Sequence, residues 1–367
     1  CLSDLQVHRN TGWISYGIGM CLTFLGVLLV WMGAWRPPVV LDGVQLKQIT
    51  ITPLRALGRF VIVYILGLAA VNVWRGVWYL TDFYLLPDIL TPHKTQGGEW
   101  TLVSFWVSSV VGSTACFILG SGASILAPPA IFLFDGPGVN PPPLAVTVLS
   151  SYFSLTLPAK TPPPELPLLI MWLDLILSFV VVPFFVVWFW RGSWLVLDFY
   201  LWGFSPDPHD LHMSLLWSFL LAVGLMVPTS ETGVSLIVPF VPDKVHQSPV
   251  LLGMLGRLRT FLLAWGAVNF WRVVWYTWDE FLPGGTPQWS CWISHLLPVC
   301  LLSCFGCLSC IVAPASTLGV DAVPHPLAAD EPLFSNLPVP ADNLYIAGIV
   351  RQPTVVDAKI IPESAKK

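Results

Sequence analysis

Seven stretches of this chain are apolar enough and long enough to cross a bilayer as helices: about 13–35, 57–80, 101–126, 168–192, 211–238, 254–277 and 290–313. A hydrocarbon core of about 30 Å takes roughly 20 residues of helix. Inside that core every backbone N–H and C=O must be bonded within its own element, and for segments of this kind that means helices. Composition agrees, since 55% of residues are hydrophobic and only 10% charged, where soluble domains carry roughly a quarter. Nineteen tryptophans suit a chain with long water–lipid boundaries. The first stretch lacks the basic start of a secretory signal and runs too long for one.

Three of these stretches close on the same string. It reads WRGVWYLTDFYL from Trp74, WRGSWLVLDFYL from Trp190 and WRVVWYTWDEFL from Trp271, so the shared frame is WRxxWxxxD. Three copies at one end of alternate spans make an internal repeat. The odd-numbered spans share a different ending, a proline exit at Pro37, Pro128, Pro239 and Pro314. The expected unit is a helix ending in the frame, a loop, and a helix ending in proline. The chain then reads as an all-α polytopic bundle of parallel two-helix repeats, seven spans long. Because Cys1 is no initiator methionine and the pattern starts half-way through a unit, an eighth span with a fourth copy of the frame is expected upstream. Residues 1–320 form the membrane domain in this reading, and 321–367 a Pro-rich cytoplasmic tail.

Loop charge sets the orientation. Arg36, Lys47, Arg55, Arg59, Lys160, Lys244, Arg257 and Arg259 lie on the proline side, against Arg9 and Lys94 on the other once the arginines of the repeated frames are set aside. The positive-inside rule therefore predicts a cytoplasmic C-terminus and a frame that faces outward.

Within each frame Trp74, Trp78 and Asp82 stand four residues apart, as do Trp190, Trp194 and Asp198, and Trp271, Trp275 and Asp279. Each trio marks one helix face. Arg75 lies seven residues before Asp82, about 10.5 Å of rise, too far for a direct bond along one helix. Arg75, Arg191 and Arg272 are thus expected to meet acids or carbonyls of neighbouring helices, with the tryptophans as an interfacial belt. The plainer role is structural; the alternative is an outward vestibule that binds an anion or a lipid headgroup. Two further acids, Glu231 in ProThrSerGluThrGly and Asp174 early in the fourth span, are candidates for an intramembrane ion site. Both sit near the proline end, where hydroxyls and backbone freed by Pro228 and Pro183 are alternative partners.

Other chemistry is poorly represented. Cys300, Cys304, Cys307 and Cys310 fall along one stripe of the last span, which cannot wrap a metal tetrahedrally, so packing is expected and no metal or cofactor. The seven histidines form no HExxH motif and join no serine in a nucleophile elbow, so no catalytic residues are expected. A net charge of −4 with no basic tract argues against nucleic acid. The proline-rich segments, about 128–167 and the tail, suit extended backbone that docks on other proteins. The expected partners are the lipid bilayer and other membrane proteins, a channel among them.

The repeated WRGxWxxxD strings, the DFYL that follows two of them, and an implied total of eight spans resemble the Fuseless family of multispanning animal membrane proteins. The third copy departs from the pattern, with Val273 where the others have Gly76 and Gly192. The resemblance implies a role at presynaptic plasma membranes in organising calcium channels and no catalytic residues. A transporter or channel-like protein with a path between the repeats is the alternative.

Overall fold

A computed structural model describes residues 2–29, 53–85, 99–127, 168–202, 207–237, 248–281, 287–305 and 308–311. The Pro-rich segment 128–167 and the tail 321–367 lie outside the described residues. Helix is the only regular structure among those described. The long helices are α1 (Leu2–Leu29), α2 (Pro53–Leu85) and α3 (Glu99–Ile118). Then comes α4, in which Leu168–Ile176 and Val182–Leu197 are joined and extended by π turns at Leu177–Val181 and Asp198–Trp202. After it follow α5 (Pro208–Thr229), the short α6 (Glu231–Ile237), α7 (Pro249–Phe281) and α8 (Pro287–Cys304). Four helices start on proline, at Pro53, Pro208, Pro249 and Pro287, where the missing N–H is one that no helix would bond anyway.

Four helical stretches are long and apolar enough to cross a membrane: Arg9–Leu29, Phe60–Tyr84, Leu169–Trp202 and His209–Thr229. The apolar parts of α3 and α8, Leu102–Ile118 and Trp292–Cys304, are shorter. At 33 residues α7 has the length, but Asn269, Arg272 and its ring-bearing neighbours lower its mean hydropathy and it is not among the four. The described residues are those of a helical membrane protein.

Packing pairs each odd span with the even one that follows it. The most extensive contacts join α1 to α2, α3 to α4, and α5 to α7. The packed hairpin therefore begins one helix earlier than the expected unit, with the proline-ended helix first and the frame-bearing helix second. Small residues let the backbones meet, as membrane helices require. A Cβ added at Gly112 of α3 would strike the Phe189 and Phe185 backbone, and one at Gly192 of α4 would strike Ser109 and Phe105 in return. Gly76 faces the backbone of Tyr16 in the same way.

Lesser contacts join α4 to both α2 and α7, so α4 is the central frame helix. The main core cluster collects Val182, Val186, Phe189 and Trp190 of α4 with Leu263, Ala264, Ala267 and Val268 of α7, and Trp74 of α2 packs on it. Beyond α3 the chain turns at Gly120, whose φ of 63° is left-handed and open to glycine at little cost. The 3₁₀ turn Gly122–Ile125 that follows is buried. This irregular backbone falls on the GlySerGlyAla stretch at residues 120–123.

Candidate functional site

The three frames lie side by side on α2, α4 and α7, and the arginines of the second and third copies each reach the acid of the preceding copy. Arg191 Nε donates to Asp82 Oδ1 at 2.7 Å, with Nη2 2.5 Å from the same oxygen. Arg272 Nε donates to Asp198 Oδ1 at 2.7 Å. Both arginines are completely buried. A buried guanidinium is tolerable only if its other N–H groups are bonded as well. For Arg272 they are: Nη1 donates to Ser218 Oγ and Nη2 to Ser214 Oγ, each at 2.7 Å, both on α5. Tyr276 closes the ring, since its hydroxyl donates to Asp198 Oδ2 at 2.9 Å while its face lies 5.3 Å from the Arg272 guanidinium carbon. Arg191 makes the thinner version, with Nη1 3.5 Å from Ser108 Oγ of α3.

The tryptophans follow the same order. Trp74 meets Trp190 edge-on at 5.3 Å, Trp78 meets Trp194 at 6.4 Å, and Trp194 meets Trp275 at 6.4 Å. The N–H groups of the two α4 tryptophans are used inside the protein. Trp190 Nε1 donates to the Ile125 carbonyl, at the end of the 3₁₀ turn, at 2.9 Å. Trp194 Nε1 donates to Tyr276 Oη at 3.3 Å. Next to the frame, Trp188 Nε1 reaches Thr81 Oγ1 of α2 at 3.0 Å.

The outer members of the series differ. Arg75, expected to meet an acid or a carbonyl, is exposed and lies over the Tyr79 ring of its own helix at 5.3 Å. Asp279 and Trp275 are exposed at the other end, on α7. The pairing thus runs from copy to copy, and the structure brings together Asp82, Arg191, Asp198 and Arg272 but neither Arg75 nor Asp279.

The other acids sit apart from this series. Asp174 is buried in α4 and accepts from Ser178 Oγ at 3.3 Å. Glu231 opens α6 after a break at Ser230, and its side chain lies outside the described residues. At that break Arg259 Nε donates to the Thr229 carbonyl at 2.7 Å, which caps α5 from the neighbouring helix. Among the cysteines of the last span, Cys300 and Cys304 are exposed, Cys310 is half-buried, and Cys307 lies outside the described residues.

Reading the sequence missed the hydroxyls. Ser108, Ser214, Ser218 and Tyr276 complete the arginine sites, and the signal was there: Ser104 with Ser108 and Ser214 with Ser218 are four apart on the odd helices. That spacing puts both hydroxyls on one face.

Those frames also carry the relationship to known proteins. The Fuseless family model matches residues 44–126 and 138–312, most of the chain and all three copies. The chain belongs to the Fuseless family. No curated protein and no solved structure matches it. In Fuseless terms the matched region takes in α2 through α8, while α1 precedes it.

Proposed function

We propose that this Fuseless-family protein is a non-enzymatic subunit of a membrane assembly, an accessory or scaffold, and that it organises calcium channels at presynaptic plasma membranes. The observation that carries this reading is the use made of the charges. Arg191 and Arg272 are wholly buried and bonded to Asp82 and Asp198, so these frames hold helices together. A transport path or headgroup site needs charge that water or a ligand can reach. Family membership supports the presynaptic part, and the proline-rich segments supply candidate docking stretches. The architecture in this proposal has seven spans in parallel two-helix repeats, with a cytoplasmic C-terminus.

A transporter or channel-like protein is the second reading. It draws on Asp174, a buried acid beside a π turn in α4, since intramembrane acids often mark ion paths. Purification in mild detergent from neuronal membranes tests both. Calcium-channel subunits recovered with the protein, and no ion flux in vesicles holding it alone, are expected. A stable monomer without partners would sink the scaffold reading, and a flux abolished by Asp174→Asn would establish the second.

A further inference from the structure

Two buried polar atoms on α7 make no bond inside the protein. Trp265 Nε1 and Asn269 Oδ1 are both buried, and neither has a hydrogen-bond partner among the described residues. Nearly all buried polar groups in folded proteins are bonded, because an orphan gives up its hydration and gets nothing in return. Here one atom is a donor and the other an acceptor, and a spacing of four residues sets them one turn apart on the same helix face. Trp265 is the middle residue of α7 (Pro249–Phe281), so the pair lies far from both helix ends.

The two atoms are not free to bond each other. The Asn269 amide is pinned from its other end, where Nδ2 donates to the Trp265 carbonyl at 2.9 Å, and turning Oδ1 toward the indole breaks that bond. The indole is held as well, with the rings of Trp106 on α3 and Phe261 on α7 each 6.2 Å away. It also packs on the clusters that contain Val268 and Val196. Counted from the frame, the places of Trp265 and Asn269 are taken by Leu68 and Asn72 in α2, and by Phe184 and Trp188 in α4. Trp188 uses its N–H on Thr81 of α2 at 3.0 Å. The α4 residue that matches Thr81 is Leu197, so α4 offers Asn269 no hydroxyl in that place. Asn72 is half-buried and has a leucine where α7 has its tryptophan. Of the three copies, the one on α7 alone sets such a donor and acceptor together.

We propose that Trp265 and Asn269 bind one water molecule, which accepts from Nε1 and donates to Oδ1. Water is neutral, it both donates and accepts, and it is small enough for an enclosed place. Two such bonds meet the lower end of the roughly two to four that buried waters make. An ion meets one favourable dipole and one opposed, and a lipid hydroxyl has to bring its chain past the Trp106 ring. The bound water carries the buried polar series of Ser214, Ser218 and Arg272 one turn further into α7. This site stands on two side chains and does not depend on the scaffold role.

The test is radiolytic footprinting of the 367-residue chain in lipid nanodiscs, where hydroxyl radicals made from a bound water oxidise the side chain beside it. Two tryptophans serve as references. Trp190 is 5% exposed and bonded inside the protein, and Trp106, next to the site, is 40% exposed. Trp265 is expected to oxidise faster than both, and Asn269→Leu should abolish that excess while the rates at Trp190 and Trp106 stay as they were. Oxidation of Trp265 no faster than that of Trp190 would overturn the proposal. So would a rate order that follows exposure, with Trp106 fastest, because the radicals then arrive from outside. An excess that survives Asn269→Leu in folded protein overturns it as well. Should that variant fail to fold, the three rates in the unaltered chain decide alone.

Discussion

The hairpins α3–α4 and α5–α7 carry the same frame and are held together in different ways. In α3–α4 the backbones meet through Gly112 and Gly192, Ser109 and Ser193 bond hydroxyl to hydroxyl at 2.8 Å, and Arg191 keeps a single long contact with Ser108. In α5–α7 the position of Gly192 is taken by Val273. There Arg272 makes two 2.7 Å bonds to Ser218 and Ser214, and Tyr276 adds a bond to the acid. Lipid gives helices no hydrophobic reason to associate, so a hairpin needs close backbone packing or buried polar bonds. One hairpin relies mainly on the first and the other on the second.

The sharpest way to break that comparison is at the acids. Asp198→Ala strands Arg272 wholly buried, and losing one partner of such a pair costs about 3–5 kcal/mol. Asp82→Ala should cost clearly less, because the Asp82 side chain is already 13% exposed and water can replace it. Unfolding in mixed detergent micelles measures both. Equal losses would mean that the two junctions are equivalent and that the hydroxyls and Tyr276 add nothing.

Exchanging the small residue is the next test. Gly192→Val puts a branched side chain against the Ser109 and Phe105 backbone, and overpacking of this kind costs about 1–3 kcal/mol. In α7 the reverse change, Val273→Gly, should cost about 1 kcal/mol, the ordinary penalty of glycine inside a helix. A gain in stability from Val273→Gly would show that α5–α7 also wants close backbones and reaches only a compromise. The hydroxyls come third. Ser218→Ala should cost about 1–2 kcal/mol, near the upper range for such bonds in membranes. Ser108→Ala should cost a few tenths at most, since its 3.5 Å contact is at the limit of a hydrogen bond. These losses order the two hairpins by their dependence on polar bonds.

How far this could be read from the sequence depends on the kind of periodicity involved. The helical membrane class follows from apolar length, and the cross-helix partners of Arg191 and Arg272 follow from the seven-residue gap between arginine and acid in each frame, whereas Arg75 stays on its own helix over Tyr79. The direction of pairing does not, because WRxxWxxxD is compatible with a partner on either side. Only the packing of α4 between α2 and α7 shows that Arg191 looks back to Asp82. The hairpin boundary is not legible either: chain order after Asp82 predicts a unit beginning with the frame helix, whereas Gly76 against the Tyr16 backbone and Gly19 against Val73 join that helix to the one before. Serines escaped notice because a lone Ser in an apolar run carries little signal until an arginine is opposite. Asp174 was legible as a buried acid, but its contact with Ser178 one turn on looks ordinary for a side chain near a π turn.

The smallest effect is expected outside the buried series and bounds the comparison from below. His212 of α5 and Glu280 of α7 tie the outer ends of the same hairpin, with Nε2 2.8 Å from Oε1 and both side chains about half exposed. Helix α7 therefore has two ionic links, a dry one to Asp198 of α4 and a wet one to His212 of α5. Exposed pairs are screened by salt, must order two side chains, and contribute about 0–1 kcal/mol. Glu280→Gln should accordingly change stability by less than Ser218→Ala, and what change there is should fade between low and high ionic strength. The Asp198→Ala loss should keep its size over the same range, because counterions do not reach a fully buried guanidinium. If the Asp198 effect fades with salt instead, water has access to Arg272, and the second junction is a wet surface contact of the same kind as His212 with Glu280.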